Sequence, residues 1–403
     1  GHRWRIGVIG QMPFTQESPR DSSLLAVVNE LIEVAKSRNQ RRALVLSGSR
    51  DWCVELAGQL LAATGLSSVH WFSDRAPSSA AASQGAAALR LLGTELDALV
   101  FDAWSGFDPD AFGALTGSIK GGGILLLLTP PFRHWPGYAD PQNERISVAP
   151  YAAERLSGRF LTRLVKLLES DASVMIWEQQ GGGKKPQPVE TPAVGQDRVE
   201  PPCRTVDQQR AVEAVIKVAT GHRRRPVVLT SDRGRGKSAA FGIAAARLIQ
   251  RGHRRILLTG PRLQSVAAVM EHARRLLPGE SKAIRYVAPD ELLRQPEQAD
   301  LVLVDEAAAI PTPLLESLLR RHARIAFSTT IHGYEGTGRG FALRFSRILD
   351  KYTNSWKAMP LSAPIRWSAD DPLERLVFRM LALDANATSD DVLQDVETGE
   401  CTI

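Results

Sequence analysis

The chain has 403 residues, 43% of them hydrophobic and 23% charged, the composition of a globular protein with room for two or three domains. Fifty Lys and Arg against 44 Asp and Glu leave a net charge of +6, which permits an anionic partner such as nucleic acid without requiring one. Three scattered cysteines, Cys53, Cys203 and Cys401, form no C-x-x-C pair. That argues against a zinc ribbon or disulfide framework and fits a reducing, cytoplasmic setting. No apolar run approaches the ~20 residues that span a bilayer. The opening "GHRWRIGVIGQMPFTQ" lacks the apolar core of a signal peptide, and its "GH" reads as a tag remnant.

In chain order, "RRALVLSG" (41–48) predicts a buried strand ending at Gly48. "SSVHWFS" (67–73), "LDALVFDAW" (97–104) and "GGILLLLTP" (122–130) follow as strands, at intervals that fit a helix between each; "SQGAAALRLLG" (83–93) is one such helix. "YAAERLSGRFLTRLVKLLES" (151–170) predicts a longer amphipathic helix and "ASVMIW" (172–177) a last strand. This alternation implies an α/β domain over 1–177, built on a mostly parallel, doubly wound sheet. No glycine fingerprint follows its first strand, and "SGSRDWC" (47–53) is a weak substitute, so a structural or docking role is expected there.

Residues 178–204 are rich in Gly, Pro and Gln without apolar periodicity and read as a linker. A second α/β run then begins with a helix, "TVDQQRAVEAVIKVAT" (205–220), and a strand, "RPVVLTS" (225–231). "AAFGIAAARLIQRG" (239–252) and "LQSVAAVMEHARRLL" (263–277) read as helices, and "RRILLTGP" (254–261), "KAIRYVAP" (282–289), "DLVLVDEAAAI" (300–310) and "RIAFSTTIHG" (324–333) as strands. The expected fold is therefore two doubly wound α/β domains. The second, 205–350, is a RecA-like P-loop NTPase module, and 351–403 is a mixed tail.

The chemistry concentrates in "SDRGRGKSAA" (231–240). The phosphate-cradling pattern G-x-x-x-x-G-K-[ST] is completed by Gly236, Lys237 and Ser238, but Ser231 stands where its first Gly belongs. A strand precedes the loop and a helix follows it, the context such a loop requires. Gly234 and Gly236 allow backbone N–H groups to wrap a phosphate at the positive end of a helix. Lys237 can then reach the β- and γ-phosphates of ATP, and the Ser238 hydroxyl can ligate Mg²⁺. The bland alternative is a Gly-rich turn with a solvated lysine.

"LVLVDEAAAIP" weakens that alternative. A buried strand ending in Asp305 and Glu306 is costly unless the carboxylates meet a cation. In a P-loop hydrolase the first carboxylate holds the Mg²⁺ shell and the second acts as general base. Gln208 or Gln209 opens a helix where several helicases place an adenine-reading Gln, and "FSTT" (327–330) resembles their Ser/Thr motif. A polar helix start and a β-branched strand are the ordinary readings of these two. After Asp350 too few residues remain for a second motor lobe. Such a lobe must be the first domain, another subunit or sequence outside this chain.

"RGRGKSA", "VDEAAAIPTPLL", "STTIHGYEGTGRGF" and "PIRW", in that order, resemble the tRNA(Met) cytidine acetyltransferase family, as do "LVLSGSRDWC" and "LVFDAWSGFDPDAFGALTG" earlier. The resemblance covers nearly the whole chain, and the family tolerates a small residue at the loop's first position. It implies an enzyme that uses acetyl-CoA and ATP to acetylate N4 of the wobble cytidine of elongator tRNA(Met). It also implies an ATP site on Gln208, on Asp232, Arg233, Gly234, Arg235, Gly236, Lys237, Ser238, Ala239, Ala240 and Phe241, and on Arg366 of "APIRW". No acetyl-CoA loop is found, and "VETGECTI" looks like the approach to an acetyltransferase domain absent from this chain; a truncated piece is expected. Candidate RNA contacts are Arg223 to Arg225, Arg254 with Arg255, Arg274 with Arg275, Arg320 with Arg321, and Arg339. A helicase of superfamily 1 or 2 type and a nucleotide-switched docking module are the competing readings.

Overall fold

The computed structural model describes residues 19–85, 94–181, 183–186, 199–232, 234–279, 281–294, 298–331, 338–383 and 385. The expected helix at 83–93 lies largely outside them, as does Cys401.

The first unit runs α1 (Pro19–Ser37), β1 (Arg42–Ser47), α2 (Arg50–Thr64), β2 (Val69–Phe72), β3 (Ala82–Ser83), β4 (Leu96–Asp102), α3 (Pro109–Thr116), β5 (Ile119–Thr129), α4 (Asn143–Ile146), α5 (Arg159–Ser170), β6 (Val174–Glu178) and β7 (Gly183–Lys184). Its sheet has the order β3-β2-β4-β5-β1-β6-β7, parallel except for the β6–β7 pair. Both faces are covered. Ala43 and Val45 of β1 enter one apolar cluster and Leu44 and Leu46 the other. A strand buried on both sides has no use for polar alternation, which is why "RALVLS" reads as a continuous apolar run.

The helix expected over 151–170 begins only at Arg159. Gly158 explains the late start: a Cβ there would stand 1.8 Å from the Pro136 carbonyl oxygen, so the chain is pressed against another turn before the helix opens.

The second unit runs α6 (Val206–Thr220), β8 (Val227–Ser231), α7 (Lys237–Gln250), β9 (Ile256–Thr259), α8 (Ala267–Leu276), β10 (Ile284–Tyr286), α9 (Pro289–Arg294), β11 (Leu301–Val304), α10 (Thr312–Arg321), β12 (Ile325–Thr330), α11 (Gly338–Tyr352), β13 (Lys357–Leu361) and α12 (Pro372–Leu381). Its sheet is wholly parallel in the order β10-β9-β11-β12-β8-β13. Ranked by chain order within each sheet, both units share one arrangement, 3-2-4-5-1-6, and the first adds β7 at its edge. The strand expected over 300–310 stops at Val304, because Glu306 turns into the left-handed region at φ 51°.

The stretch read as a tail is used by both units. β13 pairs with β8 in the second sheet, and residue 350 falls inside α11. Leu373, Leu376, Val377 and Met380 of α12 pack into the apolar core of the first unit instead. Residues 362–371 therefore cross between the two sheets. Among the described residues, no helix is long and apolar enough to cross a membrane.

Candidate nucleotide site

β8 delivers the chain to the carboxyl edge of the second sheet at Ser231. The absent first glycine carries no strain, since Ser231 is not among the residues with positive φ. Its hydroxyl instead accepts a hydrogen bond from Lys237 Nζ at 2.8 Å and donates to the Asp232 carbonyl at 2.7 Å. Gly234 and Gly236 do need to be glycine, at φ 75° and 84°. A Cβ on Gly234 would lie 2.8 Å from Cη2 of Trp367, and one on Gly236 would lie 2.7 Å from Nε2 of Gln208. α7 then starts at Lys237, so its first backbone N–H groups face the loop.

Lys237 is nearly buried and also donates to Thr330 Oγ1 at 3.1 Å and to the Asp232 carbonyl at 3.3 Å. Ser238 Oγ donates to Asp305 Oδ2 at 2.8 Å. Ser328 Oγ donates to Asp305 Oδ1, and the Glu306 amide reaches the same oxygen at 3.1 Å. Burial pushes the Asp305 carboxyl above its ordinary range, against the Ser328 and Ser238 hydroxyls and the charge of Lys237. Glu306, half-buried beside it, holds a left-handed backbone that costs a non-glycine residue about 1–3 kcal/mol and clusters at functional sites. The "FSTT" segment thus meets the loop through two hydroxyls: Ser328 on the acid and Thr330 on the lysine.

The other expected site residues fall as follows. Gln208 is buried, its Oε1 accepting from the Arg204 amide at 2.8 Å and its Nε2 donating to the Gly236 carbonyl at 3.4 Å, so its amide braces the loop. Gln209 turns outward to Glu213. The Asp232 side chain is half-buried, and Arg233 lies outside the described residues. Arg235 is nearly buried, with Nη2 3.0 Å from Glu374 Oε2, while its Nε and Nη1 have no hydrogen-bond partner among the described residues. Ala239, Ala240 and Phe241 are buried, the last two within the apolar core, and the Ala240 amide is committed to the Gly236 carbonyl at 2.8 Å. Arg366 stands beside the loop, but its Nη1 donates to the Gly117 carbonyl of the first unit at 3.3 Å.

This donor set fits a polyphosphate with a divalent cation. Two glycines leave no room for side chains around the loop, a buried lysine and a buried arginine supply positive charge, and a hydroxyl and a carboxylate stand together at the helix start. Among the described residues, the buried Thr259 and Thr329 hydroxyls of the same sheet have no hydrogen-bond partner.

The sequence reading missed Trp367, Glu374 and Asp207. Asp207 Oδ2 accepts from the Ser362 amide at 3.0 Å, the Ser362 hydroxyl at 2.8 Å and the Ala363 amide at 3.2 Å, fixing the segment that passes over the loop. Burial raises its carboxyl pKa, but these bonds outweigh burial and hold it below the ordinary value.

The candidate RNA contacts lie elsewhere. Arg223 to Arg225, Arg254 with Arg255, and Arg320 with Arg321 are exposed and immediately precede β8, β9 and β12, or close the helix leading there. They therefore line the amino edge of the sheet, opposite the loop. Arg274 and Arg275 end α8 and are also exposed. Arginines in the last turns of α8 and α10 suit the helix dipoles as well. The Arg339 side chain lies outside the described residues.

Residues 228–384 match the family described as RNA cytidine acetyltransferase NAT10/TcmA, helicase domain. Residues 17–179 match tRNA(Met) cytidine acetyltransferase TmcA, N-terminal. The curated tRNA(Met) cytidine acetyltransferase TmcA of Nitrosococcus halophilus is 54% identical over 388 residues, 92% of this chain and 52% of that protein. Its namesake in Haloarcula marismortui is 34% identical over 409 residues, with the same two coverages. The chain thus spans about half the length of the curated relatives it matches.

Proposed function

Because the chain belongs to the tRNA(Met) cytidine acetyltransferase TmcA family, we propose that it forms the ATP-binding and ATP-hydrolysing portion of an enzyme that acetylates N4 of a cytidine in tRNA(Met). Acetyl-CoA would be the donor, at a site outside this chain. The observation that carries the nucleotide reading is the meeting of Lys237, Ser238 and Asp305 at the carboxyl edge of one parallel sheet. That edge, beside a strand-to-helix turn, is where such sheets bind ligands.

When bound, Mg²⁺ would neutralise phosphate charge. Ser238 and Asp305 are the residues to hold it. Lys237 would exchange its bonds to Ser231 and Thr330 for phosphate oxygens, and the loop amides would cradle the β-phosphate. Glu306 would accept the proton of the attacking water. Ser328 keeps Asp305 oriented, as outer partners do for metal-holding carboxylates. The strand order that the two sheets share supports a reading of the first unit as the second lobe of the motor.

The test is ATP hydrolysis by the Glu306→Gln variant. ATP should stay bound and turnover should stop. Hydrolysis at the wild-type rate would place the general base elsewhere. Strand displacement by this chain would favour the helicase reading instead.

A further inference from the structure

We infer that Trp367 is a positioning residue for the nucleotide loop, and that the first unit sets the loop's shape through it. The inference rests on the nucleotide reading above and assigns a role to a residue outside the phosphate-binding set.

Trp367 is 4% exposed, and its ring edge lies against Gly234, where an added Cβ would be 2.8 Å from Cη2 and 3.1 Å from Cζ2. The indole is therefore the back wall of the loop at one of its two left-handed glycines. On its face, the Arg41 guanidinium carbon stands 3.4 Å from the ring centroid. That is stacking distance, and a planar guanidinium suits it. Arg41 belongs to the first unit, one residue before β1.

Arg41 is itself fixed. Its Nη2 and Nε donate to Asp371 Oδ2 at 2.8 and 3.0 Å, and its Nη1 donates to the Thr116 carbonyl at 2.8 Å. Asp371 caps α12 by accepting from the Glu374 amide at 2.8 Å, and Glu374 takes Arg235 of the loop. A closed circuit results: loop, Trp367, Arg41, Asp371, Glu374 and back to the loop.

The backbone around the indole is pinned on both sides. The Ile365 amide donates to the Gly234 carbonyl at 3.0 Å, the Gly121 amide to the Arg366 carbonyl at 2.9 Å, and the Ser368 amide to the Asn39 carbonyl at 2.8 Å. The first of these holds the loop, and the other two belong to the first unit. The same clamp sets where Arg366 stands. A loop held in its binding shape before ligand arrives binds more tightly, because less ordering remains to be done.

The experiment measures Mg-ATP affinity by calorimetry on the whole 403-residue chain, with thermal melting of each variant alongside. Trp367→Leu removes the flat wall, and affinity should fall roughly tenfold, equivalent to about 1.4 kcal/mol. Trp367→Phe keeps a flat face and should bind within about threefold of wild type. Arg41→Lys keeps a cation for Asp371 but not the planar stack; it should weaken binding although Arg41 is no part of the loop. Leu56→Ala, in the apolar cluster on the other face of the first sheet, away from α12, should lower the melting temperature and leave affinity unchanged.

Wild-type affinity in folded Trp367→Leu and in Arg41→Lys overturns the inference. If Trp367→Leu does not fold, Arg41→Lys decides alone. Affinity that tracks melting temperature in all variants, Leu56→Ala included, also overturns it. If wild type binds no Mg-ATP, the nucleotide reading fails and takes the inference with it. Binding in wild type, its loss in Lys237→Ala and no effect at Trp367 or Arg41 would sink the positioning role alone.

Discussion

Replacing Gly234 by Ala tests whether the loop has the shape described. The residue sits at φ 75°, where an L side chain costs about 1–2 kcal/mol. The new methyl would also stand 2.8 Å from Trp367 Cη2, closer than side chains approach one another. The ring has little freedom to retreat, because it is nearly buried and Arg41 lies 3.4 Å from its centroid. Overpacking of this kind costs about 1–3 kcal/mol. The two effects together predict a loss of about 2–5 kcal/mol of stability or an equivalent distortion of the loop. They separate in a double-mutant cycle with Trp367→Leu, which removes the crowding and leaves the backbone effect. Gly234→Ala should then cost only about 1–2 kcal/mol, giving a coupling of about 1–3 kcal/mol. Urea denaturation of the four proteins measures each term. A Gly234→Ala variant as stable as wild type, or equal penalties in both backgrounds, would refute the packing described.

Asp305→Asn should abolish Mg²⁺-dependent hydrolysis and flatten one part of the pH–stability curve of the nucleotide-free chain. The folded Asp305 pKa is raised above its unfolded value near 3.8, so its contribution is present below that pH and lost as pH rises through the folded value. The wild-type-minus-variant melting difference should therefore fall across that window, and a difference that rises instead would contradict the buried acid. Cys53, whose thiol burial pushes up to about 12, should resist alkylation at pH 8 in the folded chain and react on unfolding. Fast labelling of Cys53 in the native state would count against its burial. Arg223→Glu, Arg254→Glu and Arg320→Glu together should weaken tRNA binding and flatten its salt dependence while leaving Mg-ATP affinity alone. An unchanged salt slope would give these amino-edge arginines no part in RNA binding.

The strand-ending Asp305 and the Lys237-Ser238 pair were legible because their signals are local: an apolar run that stops at an acid, and glycines followed by Lys-Ser at the start of a helix. The doubly wound class was legible for the same reason, since buried parallel strands write themselves as short apolar runs. Long-range geometry was not. Arg235 and Glu374 are 139 positions apart, and nothing in "PIRW" says that its indole will back a glycine of the loop. The return of α12 to the first unit is equally hidden, because an amphipathic helix does not declare which sheet it covers. Gly158 looked like one residue within a helix, and only its approach to Pro136 shows why the helix starts after it. The identical strand order of the two sheets lies in pairing, not in any shared motif. After β1 the first unit has only Gly48 and Ser49 before α2, where the second has the loop.

The central claim is that the loop around Lys237 takes Mg-ATP. Equilibrium binding of Mg-ATP to the chain and to Lys237→Ala tests it most directly. Saturable one-to-one binding in wild type and its loss in the variant are predicted. Equal affinity in the two proteins would contradict the site.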